Sequence, residues 1–215
     1  MISYLDQLDR QLMLWLNYDG GSVQDQLWWI VSGKFTWLPL YLWLLWLLVL
    51  YCRPVKVNWK KLTLLVVITA LVVVISDQVA SGIIKNVVMR PRPSRPDSGI
   101  AEWIHIVNGY RGGHYGFVSS HASNTWGVAL WFIFLIKNWL RSEANTLSST
   151  LRRALRITLW ALPLWMLLNC YSRIYLGVHY PGDILGGLLV GTMAACIAYY
   201  MLYPIGRKWL KLDEK

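Results

Sequence analysis

Apolar runs long enough to cross a bilayer recur along this 215-residue chain, and most of its ionisable side chains lie between those runs or at their ends. Few folds accept that pattern, because a segment inside lipid must satisfy its own backbone polar groups, as a helix or a closed barrel does. Runs approaching about 20 apolar residues predict helices. They fall at Leu62–Ile84, Asn124–Ile136, Leu155–Tyr171 and Ile184–Tyr203. Another extends from Leu27 to Tyr51 but breaks at Gly33–Lys34, so its solid part begins at Thr36. The Asn124 run is short by apolar count and must borrow its first turn from Ser119–His121. The expectation is an all-α polytopic membrane bundle of about five transmembrane helices, forming one domain over residues 1–215, with a sixth span from the broken Leu27 region as the alternative count.

Ahead of the spans, Leu5, Leu8, Leu12, Trp15 and Leu16 recur at helical spacing, with Asp6, Gln7, Asp9 and Arg10 between them. A stripe with a polar back suits a helix lying on a membrane rather than crossing it. Gly20–Gly21 ends this interfacial helix, placing it within residues 1–22. No cleavable signal is expected, since the first apolar run begins late and lacks a positive flank. An apolar share of 56% excludes disorder, and 14 tryptophans fit a protein with two lipid–water boundaries.

A net charge of +10 would suggest nucleic acid in a soluble chain, but here spans divide the cations between two sides, and no nucleic-acid partner is expected. Five spans put 13 of the 21 lysines and arginines on one side: Arg53, Lys56, Lys60 and Lys61, then Lys137, Arg141, Arg152, Arg153 and Arg156, then Arg207, Lys208, Lys211 and Lys215. That richer side is expected to be cytoplasmic. Cys52, Cys170 and Cys196 are widely spaced and odd in number, and read as packing residues, not as metal ligands or a disulfide framework.

The opposite, outward side collects three polar segments. Lys85 ends the Leu62 span and leads through Arg90–Pro91 to Arg92–Pro93; Ser119–Ser120–His121 opens the next span; Ser172–Arg173 closes another and runs on to His179 and Asp183. Ionisable groups at span ends are site candidates by default. Four helix ends thus meet at one face, with cations able to hold an anion. Ser119 and Ser120 read as N-caps, and a helix start also offers free amides and a positive dipole end to a phosphate oxygen. His121, in that first turn, would face the same ligand as a general acid. Pro181 suits the first turn of the last helix, bringing Asp183 within reach of His179, where a carboxylate fixes one imidazole nitrogen and frees the other to attack. Gly182, Gly186, Gly187 and Gly191 read as close helix packing. Fixed cations, hydroxyls and a carboxylate-backed histidine are what phosphoryl transfer through a phosphohistidine requires.

These segments resemble the three motifs of the type 2 phosphatidic acid phosphatase superfamily, K-x(6)-R-P, P-S-G-H and S-R-x(5)-H-x(3)-D. The first and third are complete, as Lys85 to Arg92–Pro93 and Ser172–Arg173 to His179 and Asp183. The second reads Val118–Ser119–Ser120–His121, with valine for proline and serine for glycine. The resemblance covers residues 85–183, the expected catalytic region. It implies that His179 attacks phosphorus with Asp183 holding it, and that His121 protonates the leaving oxygen and then takes a proton from the hydrolytic water. It implies that Lys85, Arg92, Arg173, Ser119 and Ser120 bind the phosphate. It also implies no cofactor and no metal, the protein's cations neutralising the charge.

Arg111, His114 and Tyr115, beside Gly112–Gly113 in the long segment from Asn86 to Phe117, are candidates for head-group recognition, while His105 reads as a solvated loop residue. The expected substrate is a lipid phosphate at the outward face of a bacterial-type inner membrane, with no obligatory protein partner. Undecaprenyl pyrophosphate or lipid A phosphate are favoured, with phosphatidylglycerol phosphate and phosphatidic acid as alternatives. A catalytically silent lipid-phosphate binding or transport protein is a second reading. A vanadate-dependent peroxidase is a third, against which the spans argue.

Overall fold

The computed structural model describes residues 2–53, 56–143 and 146–212; Lys215, counted above among the cytoplasmic cations, lies outside them. Seven helices carry the architecture: α1 (Ile2–Leu16), α2 (Gly21–Val31), α3 (Leu38–Tyr51), α4 (Trp59–Val88), α5 (Ser120–Ser142), α6 (Ser149–Tyr175) and α7 (Pro181–Trp209). Among the described residues there is no strand, only an isolated bridge between Pro91 and Tyr115.

By length and apolar content α4, α6 and α7 qualify as membrane spans, and α2 with α3 adds a fourth if that pair, bent by 69°, is one broken span. The break falls at the expected Gly33–Lys34 interruption. The expected Asn124–Ile136 span does not qualify on apolar content, although α5 has 23 residues, about 35 Å at 1.5 Å per residue. Its position explains the difference. α5 is the central helix, with Ala122, Ser123, Thr125, Gly127, Ala129 and Trp131 all buried, so protein rather than lipid solvates it.

Small residues permit this centrality. A Cβ added at Gly187 would lie 2.5 Å from the Ser119 carbonyl, and one at Gly191 equally close to that of Ser123, so α7 rides directly on the α5 backbone. Lipid-facing sides remain apolar, as Leu164, Leu167, Leu185, Leu189 and Met193 illustrate, each more than half exposed. Cys52 and Cys170 are buried and Cys196 partly so, all as free thiols.

Two irregularities aim the helix ends that carry the three polar segments. Gln78–Ile84 is π-helical, re-registering α4 just before Lys85, as single π turns do at functional sites. At the other end of the site, Gly177 takes a left-handed φ of 73° after α6 and Val178 N donates back to the Arg173 carbonyl, a glycine-terminated helix end.

α1 lies across this same end of the bundle in the expected amphipathic form. Leu5, Leu8 and Trp15 are exposed, whereas Met13 and Asn17 are buried. Asn17 Nδ2 donates to the carbonyls of His105, Ile174 and Tyr175 (3.1, 3.1 and 2.7 Å), and its Oδ1 accepts from His105 N at 2.8 Å. One amide thus ties α1, the long loop and the end of α6 together. Asn17→Ala deprives the His105 amide and the Tyr175 carbonyl of this partner, costing about 2 kcal/mol. We expect thermal unfolding in detergent to fall by roughly 4–8 °C.

Candidate active site

The C-terminal half of the site is built by a helix start. Pro181 occupies the first turn of α7 with Tyr180 as its N-cap, and Asp183, at the third helical position, turns back to accept from Tyr180 N at 3.1 Å. The same oxygen, Oδ2, is 3.2 Å from His179 Nδ1. Arg92 Nη1 donates to His179 Nε2 at 3.3 Å. An arginine can only donate, so Nε2 is the acceptor and the imidazole proton sits on Nδ1, facing the carboxylate. Both side chains are buried.

Three cations surround this ring. Arg92 is anchored through Nε to the Tyr115 carbonyl (3.1 Å) and through Nη1 to the Val178 carbonyl (3.2 Å). Arg173 donates to Ser32 Oγ at 2.5 Å and to the Tyr110 hydroxyl at 3.4 Å, and its Nε is buried with no hydrogen-bond partner. Lys85 Nζ donates to Ser120 Oγ at 2.7 Å. Among the described residues none of the three forms an ion pair with a carboxylate. Burial and the neighbouring Arg173 pull Arg92 down to about 10. Burial, then Arg92, Arg173, Lys85 and His121, hold the His179 imidazole well below its ordinary 6.5. Uncompensated buried cations are costly unless an anion completes them.

Ser119 caps α5, its Oγ accepting from Ala122 N at 3.4 Å, and its own N–H donates to the Asp183 carbonyl at 2.9 Å. The two departures in this motif have physical counterparts. Val118 packs where a Cβ on Gly186 would go, and the Ser120 hydroxyl joins Lys85 and Ser81 Oγ (2.6 Å). His121 shares this end of the bundle and lines a cavity of about 630 Å³ with Lys34, Trp37, Asn124 and Thr125. Lys85 thus meets Ser120, Arg92 meets His179, and His121 lies within electrostatic reach of Arg173, Arg92 and Lys85.

The three head-group candidates lie farther out. Arg111 and His114 are exposed and tied within the loop, Arg111 to the Ser94 carbonyl and His114 to Asp97 at 2.9 Å, while Tyr115 contributes its carbonyl to Arg92. His105 is not a solvated loop residue: its Nε2 pairs with Asp25 at 2.8 Å and its ring meets Tyr175 edge-on. Gly182 serves a contact other than helix packing, since a Cβ there would strike Asp9 Oδ2 at 2.6 Å. The sequence reading missed Arg90, which pairs with Asp183; Asp6 and Asp9, which pair with Arg90 in turn; and Ser32 and Tyr110 beside Arg173. Arg90 lies inside the first motif, and the polar back of α1 was a signal read only as the mark of a helix lying on a membrane.

The model of the PAP2 superfamily matches residues 61–207. A lipid A 4'-phosphatase of Bacteroides thetaiotaomicron is 34% identical over 95% of this chain and 81% of its own length. Another from Porphyromonas gingivalis is 30% identical, covering 97% and 79%. In fold, the chain resembles a transmembrane PAP2-type phosphatidylglycerolphosphate phosphatase from Bacillus subtilis, with a TM-score of 0.61 and 16% identity over 95% of this chain and 87% of that one. Apolar helices bearing this cation-ringed histidine at one end make the molecule a membrane-embedded phosphatase. The chain belongs to the PAP2 superfamily.

Because burial and neighbouring cations disfavour its protonated form, the His179 ring should stay neutral as pH falls through its ordinary value. Imidazole ¹⁵N shifts assigned by comparison with His179→Gln should show no titration step for this residue between roughly pH 8 and roughly pH 6. A step near 6.5 would contradict the electrostatics described here.

Proposed function

We propose that the protein hydrolyses a phosphomonoester on the head group of a lipid, with lipid A phosphate the favoured substrate, through a phosphohistidine at His179. The observation that carries the reading is the set of three cations, buried Arg92 and Arg173 and half-buried Lys85, gathered around a carboxylate-backed imidazole without ion-pair partners of their own among the described residues. A phosphate dianion supplies the missing charge, and the unpaired Arg173 Nε is a ready donor to it.

In this reading His179 Nε2 forms the bond to phosphorus as the ester bond to the leaving oxygen breaks, and Asp183 stabilises the Nδ1–H side of the ring. The phosphate dianion, once bound among these cations, brings the negative charge that lets His121 hold a proton, and His121 gives that proton to the departing oxygen. It then takes one from water, whose oxygen attacks phosphorus and breaks the P–N bond, releasing phosphate and restoring both rings. Lys85, Arg92, Arg173, Ser119 and Ser120 hold the phosphate oxygens throughout. Protein cations neutralise the charge in each step, so the reaction needs no metal. The whole chain acts as one domain, with residues 1–22 interfacial and residues 85–183 catalytic.

The lipid part of the proposal draws on the relatives and on the cavity beside His121. Its walls are Trp37, Tyr41, Leu44, Leu48, Val66, Val73 and Phe132, an apolar lining that suits acyl chains entering from the bilayer. Tyr41, Leu45 and Val66 are partly exposed, which leaves the cavity open towards lipid between α3 and α4. The excess of lysine and arginine on the far side supports an inner-membrane protein with an outward, periplasmic site.

Phosphate release from lipid A in detergent should survive chelation and be abolished by His179→Ala, and brief exposure to substrate should leave acid-labile phosphate on the native chain alone. Unchanged turnover in that variant sinks the proposed nucleophile. Filling the cavity with Ala70→Trp should raise KM for the lipid at least about tenfold while leaving hydrolysis of a short soluble phosphomonoester within about twofold. Equal effects on both substrates would remove the cavity from lipid binding.

A further inference from the structure

The N-terminal helix reaches into the site through one arginine. Arg90 Nη1 is 2.7 Å from Asp9 Oδ2 and 3.1 Å from Asp183 Oδ1, and its Nη2 is 3.0 Å from Asp6 Oδ1. Its guanidinium lies over the Tyr180 ring at 3.8 Å. Asp9 works in two directions: while one oxygen holds Arg90, the other accepts from Gly182 N at 2.7 Å, one of the unpaired amides at the start of α7. α1 is therefore fastened to the same helix start that presents Asp183.

We infer that Arg90, held by Asp9 of the N-terminal helix, is the positioning residue for Asp183, so that α1 is a working part of the catalytic site. Asp183 has two oxygens and both are committed, Oδ2 to His179 Nδ1 and Tyr180 N, Oδ1 to Arg90. The carboxylate is wholly buried, and Arg90 is its sole ion-pair partner other than His179 among the described residues. Without Arg90 one oxygen of a buried carboxylate loses its partner, and the group is free to turn away from the imidazole.

Arg90 differs in kind from the three cations described above. It faces three carboxylates, which repel a phosphate, whereas Lys85, Arg92 and Arg173 pair with none. Burial works against its charge, yet Asp183 and Asp9 more than offset that and raise its pKa. Its partner is the aspartate, not the substrate.

The inference rests on the phosphohistidine reading, and its test separates the two. Phosphate release and phosphoenzyme formation are measured for Arg90→Met, Arg90→Lys, Asp9→Asn and Gly182→Ala, with His179→Ala as control, alone and combined with Asp183→Asn. Arg90→Met should lower kcat on the order of 10- to 100-fold, the usual effect of removing a partner that orients an active-site group. KM and inhibition by vanadate should stay within about twofold. Asp9→Asn and Gly182→Ala should give smaller losses of the same kind, and Arg90→Lys should recover part of the rate. In the Asp183→Asn background Arg90→Met should cost less than about threefold more, because coupled residues are not additive. Full activity of Arg90→Met beside an inactive His179→Ala overturns the positioning role and leaves the nucleophile standing. Parallel loss of vanadate affinity also overturns it, making Arg90 a phosphate ligand. If Arg90→Met does not fold, Asp9→Asn and Gly182→Ala decide, and unaltered kcat in both overturns the inference. An active His179→Ala would instead bring down the phosphohistidine reading itself.

Discussion

Positive charge held inside the protein without a counterion, half-buried at Lys85 and buried at Arg92 and Arg173, is the constraint around which this molecule is arranged. Lys85, Arg92 and Arg173 come from the end of α4, the loop after it and the end of α6, and each is fixed by neutral acceptors: a serine hydroxyl, two carbonyls, a tyrosine. Neutral anchoring keeps their charge available, where a carboxylate would have satisfied it. The cost falls on the fold, which meets it with dense packing of α7 on α5 and with the network around Asn17. The protein thus stores an electrostatic deficit at one end of an otherwise apolar bundle, and an anionic group is what relieves it.

The same charges set the state of the nucleophile candidate. A histidine among cations stays neutral, and the orientation of that neutral ring is decided by which neighbour can accept. Asp183 accepts and Arg92 can only donate, so the proton is fixed on Nδ1. The capping geometry of α7 makes this automatic. A carboxylate at the third helical position reaches back towards the N-cap amide, and the residue before the cap is His179. One local rule of helix starts therefore builds the pair.

Much of this was legible in the sequence, for identifiable reasons. Helix ends are marked by apolar runs, and the residues at those ends, Lys85, His121, Arg173 and Asp183, could be assigned to one face by counting spans. α5 was harder. Its polar first turns and central burial weaken the hydropathy signal, since a helix surrounded by other helices need not be apolar. The break at Gly33–Lys34 was visible, but its use was not: it sets Ser32 against Arg173 and puts Lys34 at the cavity beside His121. Contacts of this kind depend on how two helices sit after a 69° bend, which no local pattern encodes.

α1 shows the remaining gap most clearly. Its periodicity correctly indicated a helix with one apolar and one polar side, and ordinary experience turns the apolar side inward. In a membrane protein the solvent for an apolar side is lipid, so for a helix lying on the membrane the opposite holds, as expected: Leu5, Leu8 and Trp15 face out. The polar side is then free to carry Asp6 and Asp9 onto Arg90 and Asn17 onto the end of α6. The choice of solvent, rather than the pattern itself, determines which side meets the protein. A helix expected only to lie on the membrane is also the element that brings two carboxylates to Arg90, behind Asp183.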